Sequence, residues 1–177
     1  MKKITLLIAL TLSLSVLGQS EEKNELKLNA FNLIALSAID ITYERLLTEE
    51  SAIGTSLYVY SGNNQDEVGE YYKSFSITPY YRNYFSKNYA KGFFVEAFAM
   101  LSSRKKFDDI FDNPNTQKKE SNFAMGIAVG GKWVTKKGFL AEISIGIGRN
   151  LFQKNNDEYY DETPIVGRGG ISIGKRF

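Results

Sequence analysis

No cysteine and no histidine occur among the 177 residues, and proline occurs only three times. The first absence excludes disulfides, thiolate metal sites and a lipid-modified cysteine. The second removes the side chain most often used as a metal ligand and as a general base near neutral pH. Scarce proline alongside 14% aromatic residues does not describe a low-complexity or disordered chain. An excess of charge of one sign is also missing. Without Lys2 and Lys3, 20 basic residues face 20 acidic ones, so charge makes no case for a nucleic-acid partner. Beyond the first residues no stretch is apolar enough for a spanning helix, so a membrane form of this chain has to be a β-barrel.

The chain opens on Lys2 and Lys3, followed by an apolar run over residues 4–17. This has the form of a secretory signal, with Val16 and Gly18 small enough for positions −3 and −1 of a cleavage before Gln19. Residues 1–18 are therefore expected to be a signal peptide and residues 19–177 a single barrel domain. A retained anchor is the alternative, and the shortness of the run argues against it.

Residues 122–152 organise the rest. Phe123, Met125, Ile127, Val129 and Trp133 alternate with Ala124, Gly126, Ala128, Gly130 and Lys132. After a turn at residues 135–138, Phe139, Ala141, Ile143, Ile145 and Ile147 alternate with Leu140, Glu142, Ser144, Gly146 and Gly148. Successive strand side chains point to opposite faces. One face is thus bulky and apolar, and the other small and polar with one charge per arm. Further strands are predicted over residues 25–33, 38–47, 52–61, 72–85, 92–101 and 164–177. Pro79 falls inside the fourth and lacks a ladder donor, which predicts a bulge. The alternation is poorest in the fifth, where Phe94, Phe98 and Met100 share a face with Glu96. Residues 102–121 read as the longest polar loop.

Eight strands is an even number, and the connections after strands two, four and six are short while those after three, five and seven are long and polar. An up-and-down transmembrane β-barrel with both ends in the periplasm has this layout. Next to the short turns the apolar face carries Tyr43, Phe85, Phe93, Trp133 and Phe139, with Phe177 at the same level, an expected aromatic girdle. The small face carries the acids Asp40, Glu44, Glu96 and Glu142 and the bases Lys27, Arg82, Lys132 and Arg168. That balance suits a cramped lumen, where an unpaired charge is costly. The alternative is a soluble barrel or sandwich with the apolar face inside; its wet face should then be rich in Lys, Glu and Thr, not in Gly, Ala and Ser.

In the last strand Ile165, Ile171, Ile173 and the terminal Phe177 share one face, opposite Arg168, Gly170, Ser172 and Gly174. A terminal aromatic closing an alternating strand resembles the assembly signal of bacterial outer-membrane proteins, although Lys175 stands where an apolar residue is usual. With the signal peptide and the eight-strand layout, the mature chain resembles the small OmpA/OmpX-like outer-membrane β-barrels. The stretches Ile41-Thr42-Tyr43-Glu44-Arg45 and Pro79-Tyr80-Tyr81-Arg82-Asn83-Tyr84 resemble a Bacteroidetes-type barrel family of unknown function. The resemblance implies an outer-membrane location, contact with lipid and lipopolysaccharide, and recognition of the C-terminal strand by the assembly machinery. It implies no defined activity.

Some barrels of this size act enzymatically on lipid A through a catalytic His, which is lacking here. No Ser has an evident base beside it. Glu44, Glu96 and Glu142 are possible acid–base carboxylates, but pairing with Lys27, Arg82, Lys132 and Arg168 inside the barrel accounts for them better. Asp108, Asp109, Asp112, Asn113 and Asn115 form an oxygen-rich run that would suit a divalent cation, without the spacing or Gly of an EF-hand. Asp157, Glu158, Asp161 and Glu162, mixed with Tyr159 and Tyr160, have the character of a partner-contacting loop. Arg104, Lys105 and Lys106 would suit lipopolysaccharide phosphates. The run 167–174 is no phosphate loop, lacking the helix and the Lys, and reads as close packing in the wall. No cofactor and no enzymatic activity are expected. Two functions remain: an envelope structural or surface-interaction protein with a filled lumen, or a small channel. A soluble form would instead suggest a lipocalin-like periplasmic carrier.

Overall fold

The computed structural model describes residues 22–61, 73–86, 89–107, 117–151 and 165–177, with 104–107 and 117–120 described by backbone alone. The expected signal peptide lies outside the described residues. Eight strands are formed: β1 Asn24–Asn29, β2 Ala38–Leu46, β3 Ser51–Tyr60, β4 Phe75–Tyr84, β5 Gly92–Phe107, β6 Gln117–Val134, β7 Phe139–Asn150 and β8 Ile165–Arg176. Each pairs antiparallel with the next, and β8 pairs with β1 to close the barrel. Closure gives every strand a partner on both sides. One end of the barrel holds the short turns and the chain's last residues, and the other holds the longer connections.

The β6–β7 hairpin shows how local sequence sets register. Gly138 takes φ +79°, a left-handed value disfavoured for residues with a Cβ. Its N–H donates to the Thr135 carbonyl at 3.0 Å, and the Thr135 N–H donates to Phe139 at 2.8 Å. The turn fixes Lys132 opposite Glu142 and Trp133 opposite Ala141. With register set this way, alternation decides which side chains face in. Ile127, Trp133 and Ile145 are more than 60% exposed on the outer face. Lys132, Glu142, Arg82 and Glu96 are buried inside.

Three expectations are corrected. The first strand does not run to residue 33. It ends at Asn29, whose side chain accepts a hydrogen bond from the Asn32 N–H at 3.1 Å and caps a six-residue helix, α1 Ala30–Ala35. Asn is a favoured cap because its carbonyl satisfies a donor the helix leaves free. Residues 102–121 are not one loop: β5 and β6 continue as a paired ribbon to Phe107 opposite Gln117. Arg104, Lys105 and Lys106 therefore lie on a strand. Pro79 causes no bulge. The β4–β5 pairing stops after Ile77–Leu101 and resumes at Tyr80–Phe98 in the same register, and β3 pairs through Thr55–Pro79 without a shift. Only two pairs of one ladder are interrupted, so no extra residue has to be inserted.

The interior is not uniformly small. Tyr58, Tyr80, Tyr84, Phe94, Phe98 and Met100 are all buried. Glycine makes room for the rings. Phe94 stands opposite Gly130 and Phe98 opposite Gly126, while Tyr80 stands opposite Gly54. A Cβ on Gly126 or Gly130 would come within 2.5 Å of the facing phenyl ring. Large side chains from β4 and β5 thus fill the space that Gly and Ala leave on β6 and β7, as close packing requires. On β8, a Cβ at Gly170 would fall 2.5 Å from the Asn29 side chain, so that wall is tight too.

The ion-paired lumen as candidate functional site

Side chains that β1, β2, β4 to β8 point inward meet in one continuous network. Glu44 lies at its centre. Lys27 Nζ and Lys132 Nζ donate to it at 2.7 and 2.8 Å, and Arg82 Nη1 lies 3.0 Å away. The hydroxyls of Tyr80 and Tyr84 also donate to Glu44, at 2.7 and 2.6 Å. Lys27 and Arg82 both reach Glu142, at 2.8 and 2.7 Å. Arg82 continues to Glu96 at 2.7 Å, and Arg168 closes on the other oxygen of Glu96. Toward the short-turn end, Lys132 donates to Glu25 at 2.7 Å, and Arg176 donates to the same carboxylate at 2.6 Å. Arg176 also donates to the carbonyls of Tyr89 and Ala90, at 3.0 Å each.

The charges Lys27, Glu44, Arg82, Glu96, Lys132, Glu142 and Arg168 are thereby brought together. Asp40 is not held in the same way. It accepts from Ser56 Oγ at 2.6 Å, Asn32 Nδ2 at 2.7 Å and Asn29 Nδ2 at 3.2 Å, near α1. Glu25, Arg176, Tyr80 and Tyr84 belong to the network and escaped the sequence reading. Parity offered the signal for all four: Glu25 shares a face with Lys27, Tyr80 and Tyr84 share one with Arg82, and Arg176 continues that of Arg168, Gly170, Ser172 and Gly174.

Aromatic faces cover the cations where acids do not. The Arg82 guanidinium carbon lies 3.7 Å from the Phe94 ring centroid and 4.9 Å from that of Tyr80. Arg168 lies 4.9 Å from the Tyr80 centroid, and Lys132 Nζ 4.5 Å from that of Tyr84. Desolvated cations over ring faces gain electrostatically from the ring quadrupole. Each glutamate of the network is in turn bonded by at least two cations. Each of these carboxylates is buried, with its oxygens taken up by the cations around it. Among the described residues, no cluster of three or more His, Cys, Asp or Glu is placed to hold a metal ion.

At the opposite end Lys73, just before β4, turns inward. Its Nζ lies 4.7 Å from the Tyr58 ring centroid and 3.8 Å from Met100 Sδ. Burial depresses its pKa to about 8; Asp40 pulls it up and Arg168 pushes it further down. The folded value lies below the free-lysine value of 10.5, so between the two the unfolded chain binds more protons. Stability is therefore expected to rise as pH rises from about 8 toward 10.5. Lys73→Met should remove this part of the slope in urea titrations across that window; an unchanged slope would show that Lys73 keeps an ordinary pKa.

On the outer face near the short turns, Tyr43, Phe85, Phe93, Trp133 and Phe139 are exposed and Phe177 is half-buried. The Phe85 and Phe93 rings lie 5.8 Å apart, and Lys175 Nζ sits 5.9 Å from the Phe139 ring centroid. Tyr43 donates to Asn24 at 2.8 Å. The candidate loop residues Asp108, Asp109, Asp112, Asn113 and Asn115 lie outside the described residues. So do Asp157, Glu158, Tyr159, Tyr160, Asp161 and Glu162.

Fold and interior define a closed eight-stranded antiparallel barrel with an inverted face pattern, apolar outside and charged inside. Residues 4–168 match the family described as "Protein of unknown function (DUF3575)", and the chain belongs to that family. No curated protein matches the chain. Among solved structures it is similar to the N-terminal β-barrel domain of Pseudomonas aeruginosa OprF, with a TM-score of 0.59 and 13% identity, covering 90% of this chain and 100% of that one. The likeness is one of fold: an OmpA-like eight-stranded barrel.

Proposed function

We propose that this chain is an outer-membrane barrel with a closed, ion-paired lumen, which serves envelope structure or surface interaction through its longer connections. The observation that carries this reading is the inverted face pattern. An outward face of Ile, Leu, Val and aromatic residues is stable against lipid and unstable in water. The short-turn end faces the periplasm, and Tyr43, Phe85, Phe93, Trp133, Phe139 and Phe177 form the girdle at that interface. The C-terminal strand ending at Phe177 is the segment offered to the assembly machinery. Arg104, Lys105 and Lys106, on the β5 extension, lie at the end where lipopolysaccharide phosphates are found. The glutamates have a structural role, because their oxygens are taken up by cations and tyrosines.

The lumen separates this reading from a channel. Arg82, Phe94, Tyr84 and Lys132 fill its short-turn half, each 2% exposed or less. An eight-stranded barrel has an interior that side chains just fill. Outer-membrane fractions run on SDS gels with and without boiling should show a heat-dependent mobility shift, since a folded barrel resists SDS. Purified protein in planar bilayers should show no steady conductance. Steady ion-sized openings would overturn the filled lumen. Recovery of the chain from the soluble periplasm without a shift would overturn the membrane reading.

A further inference from the structure

One region of the outer face departs from its bulky pattern. Two neighbouring rows cross the sheet there. The first runs Arg45–Ile53–Tyr81–Ala97 and the second Tyr43–Thr55–Pro79, with Ala99 and Met125 paired on its far side. Thr55, Pro79, Ala97 and Ala99 are small, while Tyr43, Tyr81 and Met125 around them are large. Beneath them the wall is thin, because Gly54 and Gly126 are bare backbone with the Tyr80 and Phe98 rings behind. The result is an apolar groove of about 660 Å³ opening outward. Small-molecule sites measure roughly 300–1,000 Å³.

The groove has a charged rim. Arg45 lines it and points outward, exposed, at its short-turn end. Ile53, Tyr81 and Ala97 in the same row are uncharged, so the guanidinium is out of place on a purely apolar belt. An arginine at one end of an apolar groove complements a molecule that joins an anionic head to a hydrocarbon tail. A planar guanidinium binds a phosphodiester in two-point fashion, which a snorkelling lysine does not. Ala97 lies three strands across from Arg45, about 14 Å at roughly 4.8 Å per strand, so a phosphate at Arg45 lets an acyl chain pass Ile53 and Tyr81 and lay its middle carbons over the Ala97 and Ala99 depressions.

We propose that this groove is a discrete site for a glycerophospholipid of the periplasmic leaflet, with its phosphate on Arg45 and one acyl chain over Ala97 and Ala99. The proposal rests on the membrane reading above, which puts the short-turn end, and therefore Arg45, on the periplasmic side, away from the lipopolysaccharide leaflet.

The mature chain folded in detergent micelles and titrated with palmitoyl-oleoyl phosphatidylglycerol, followed by native mass spectrometry, tests it. Wild type should retain one phospholipid under activation that strips the rest. Arg45→Gln should weaken retention about tenfold, the worth of a charge-assisted hydrogen bond. Ala99→Phe fills the groove from a half-buried position on the outer face and should abolish retention. Ala141→Phe, an outward position on β7 away from the groove, should change nothing. The heat-dependent gel shift confirms that each variant is folded. Equal retention by wild type and Ala99→Phe, or equal retention of a lipid A glycolipid, would overturn the site. A chain that folds and stays soluble without detergent would remove the membrane reading, and this proposal with it. Folding only in detergent with no discrete lipid would refute the groove alone.

Discussion

Glu44→Gln is expected to lower the stability of the folded barrel by about 3–5 kcal/mol, the cost of breaking a buried ion network by removing one partner. The substitution keeps size and shape, so packing is not the cause. It strips the negative charge from the centre of Lys27, Lys132 and Arg82, the three cations within 3.0 Å of the carboxylate. Those cations keep Glu142, Glu25 and Glu96, but five network bases, Lys27, Arg82, Lys132, Arg168 and Arg176, would then face three acids. The amide also has to turn an NH₂ group toward cations or toward the Tyr80 and Tyr84 hydroxyls that donate to Glu44. Urea unfolding in bilayers, read from the single tryptophan, Trp133, measures the loss. Asp40→Asn serves as the comparison. The hydrogen-bond partners of Asp40 are two amides and a hydroxyl, so no close ion pair is broken and a smaller loss of about 1.5–3 kcal/mol, that of hydrogen bonds to a charged group, is expected. Equal midpoints for wild type and Glu44→Gln would mean that the centre of the lumen is hydrated and its charges screened.

The contrast between Glu44 and Asp40 also marks where sequence reading reaches its end. Period-two alternation is local, so it placed Lys27, Glu44, Arg82, Glu96, Lys132, Glu142 and Arg168 on one face without knowledge of pairing. Which acid meets which base depends on closure of the barrel. Lys27 reaches Glu142 across 115 residues because β8 joins β1, and no local pattern contains that distance. Asp40 has the right parity but the wrong height, since it lies toward α1 and its amides. The helix left a local sign, since Phe31 and Leu33 fall on the parity of Lys27 and Asn29 while Asn32 falls on that of Leu26 and Leu28, so the β1 alternation ends at Ala30; what turns the chain into a helix is the Asn29 cap, a side-chain geometry. Arg176 has the inward parity of Arg168 and Gly174, but its place one residue before the terminal Phe177 says nothing of the Tyr89 and Ala90 carbonyls that meet it. The length of β5 and β6 was obscured for another reason. Polarity over 102–121 signals solvent in a soluble protein, yet a ribbon whose hydrogen bonds are satisfied by its own partner strand needs no apolar face.

Phe94→Ala is expected to cost about 3–5 kcal/mol, in the range for emptying a large buried aromatic site. The ring is fully buried. It lies against the Arg82 guanidinium, meets Tyr84 edge-on at a centroid distance of 5.6 Å, and occupies the space that Gly130 leaves open. Nothing nearby collapses easily into the gap, because Gly130 carries no side chain and Arg82 is pinned by Glu96 and Glu142. The cavity would, however, be walled on one side by a guanidinium, and polar cavities take up water where apolar ones stay dry. That hydration offsets part of the loss and puts the expectation in the lower half of the range. Phe93→Ala removes the same ring one residue earlier, where it faces outward and is 56% exposed. Its loss should be smaller and should depend on the surrounding lipid, whereas the Phe94→Ala loss should be the same in micelles and in bilayers of different thickness. Urea midpoints in the two media separate the cases. A lipid-dependent loss for Phe94→Ala, or a larger loss for Phe93→Ala, would mean that β5 faces the other way, and with it Glu96 would leave the lumen.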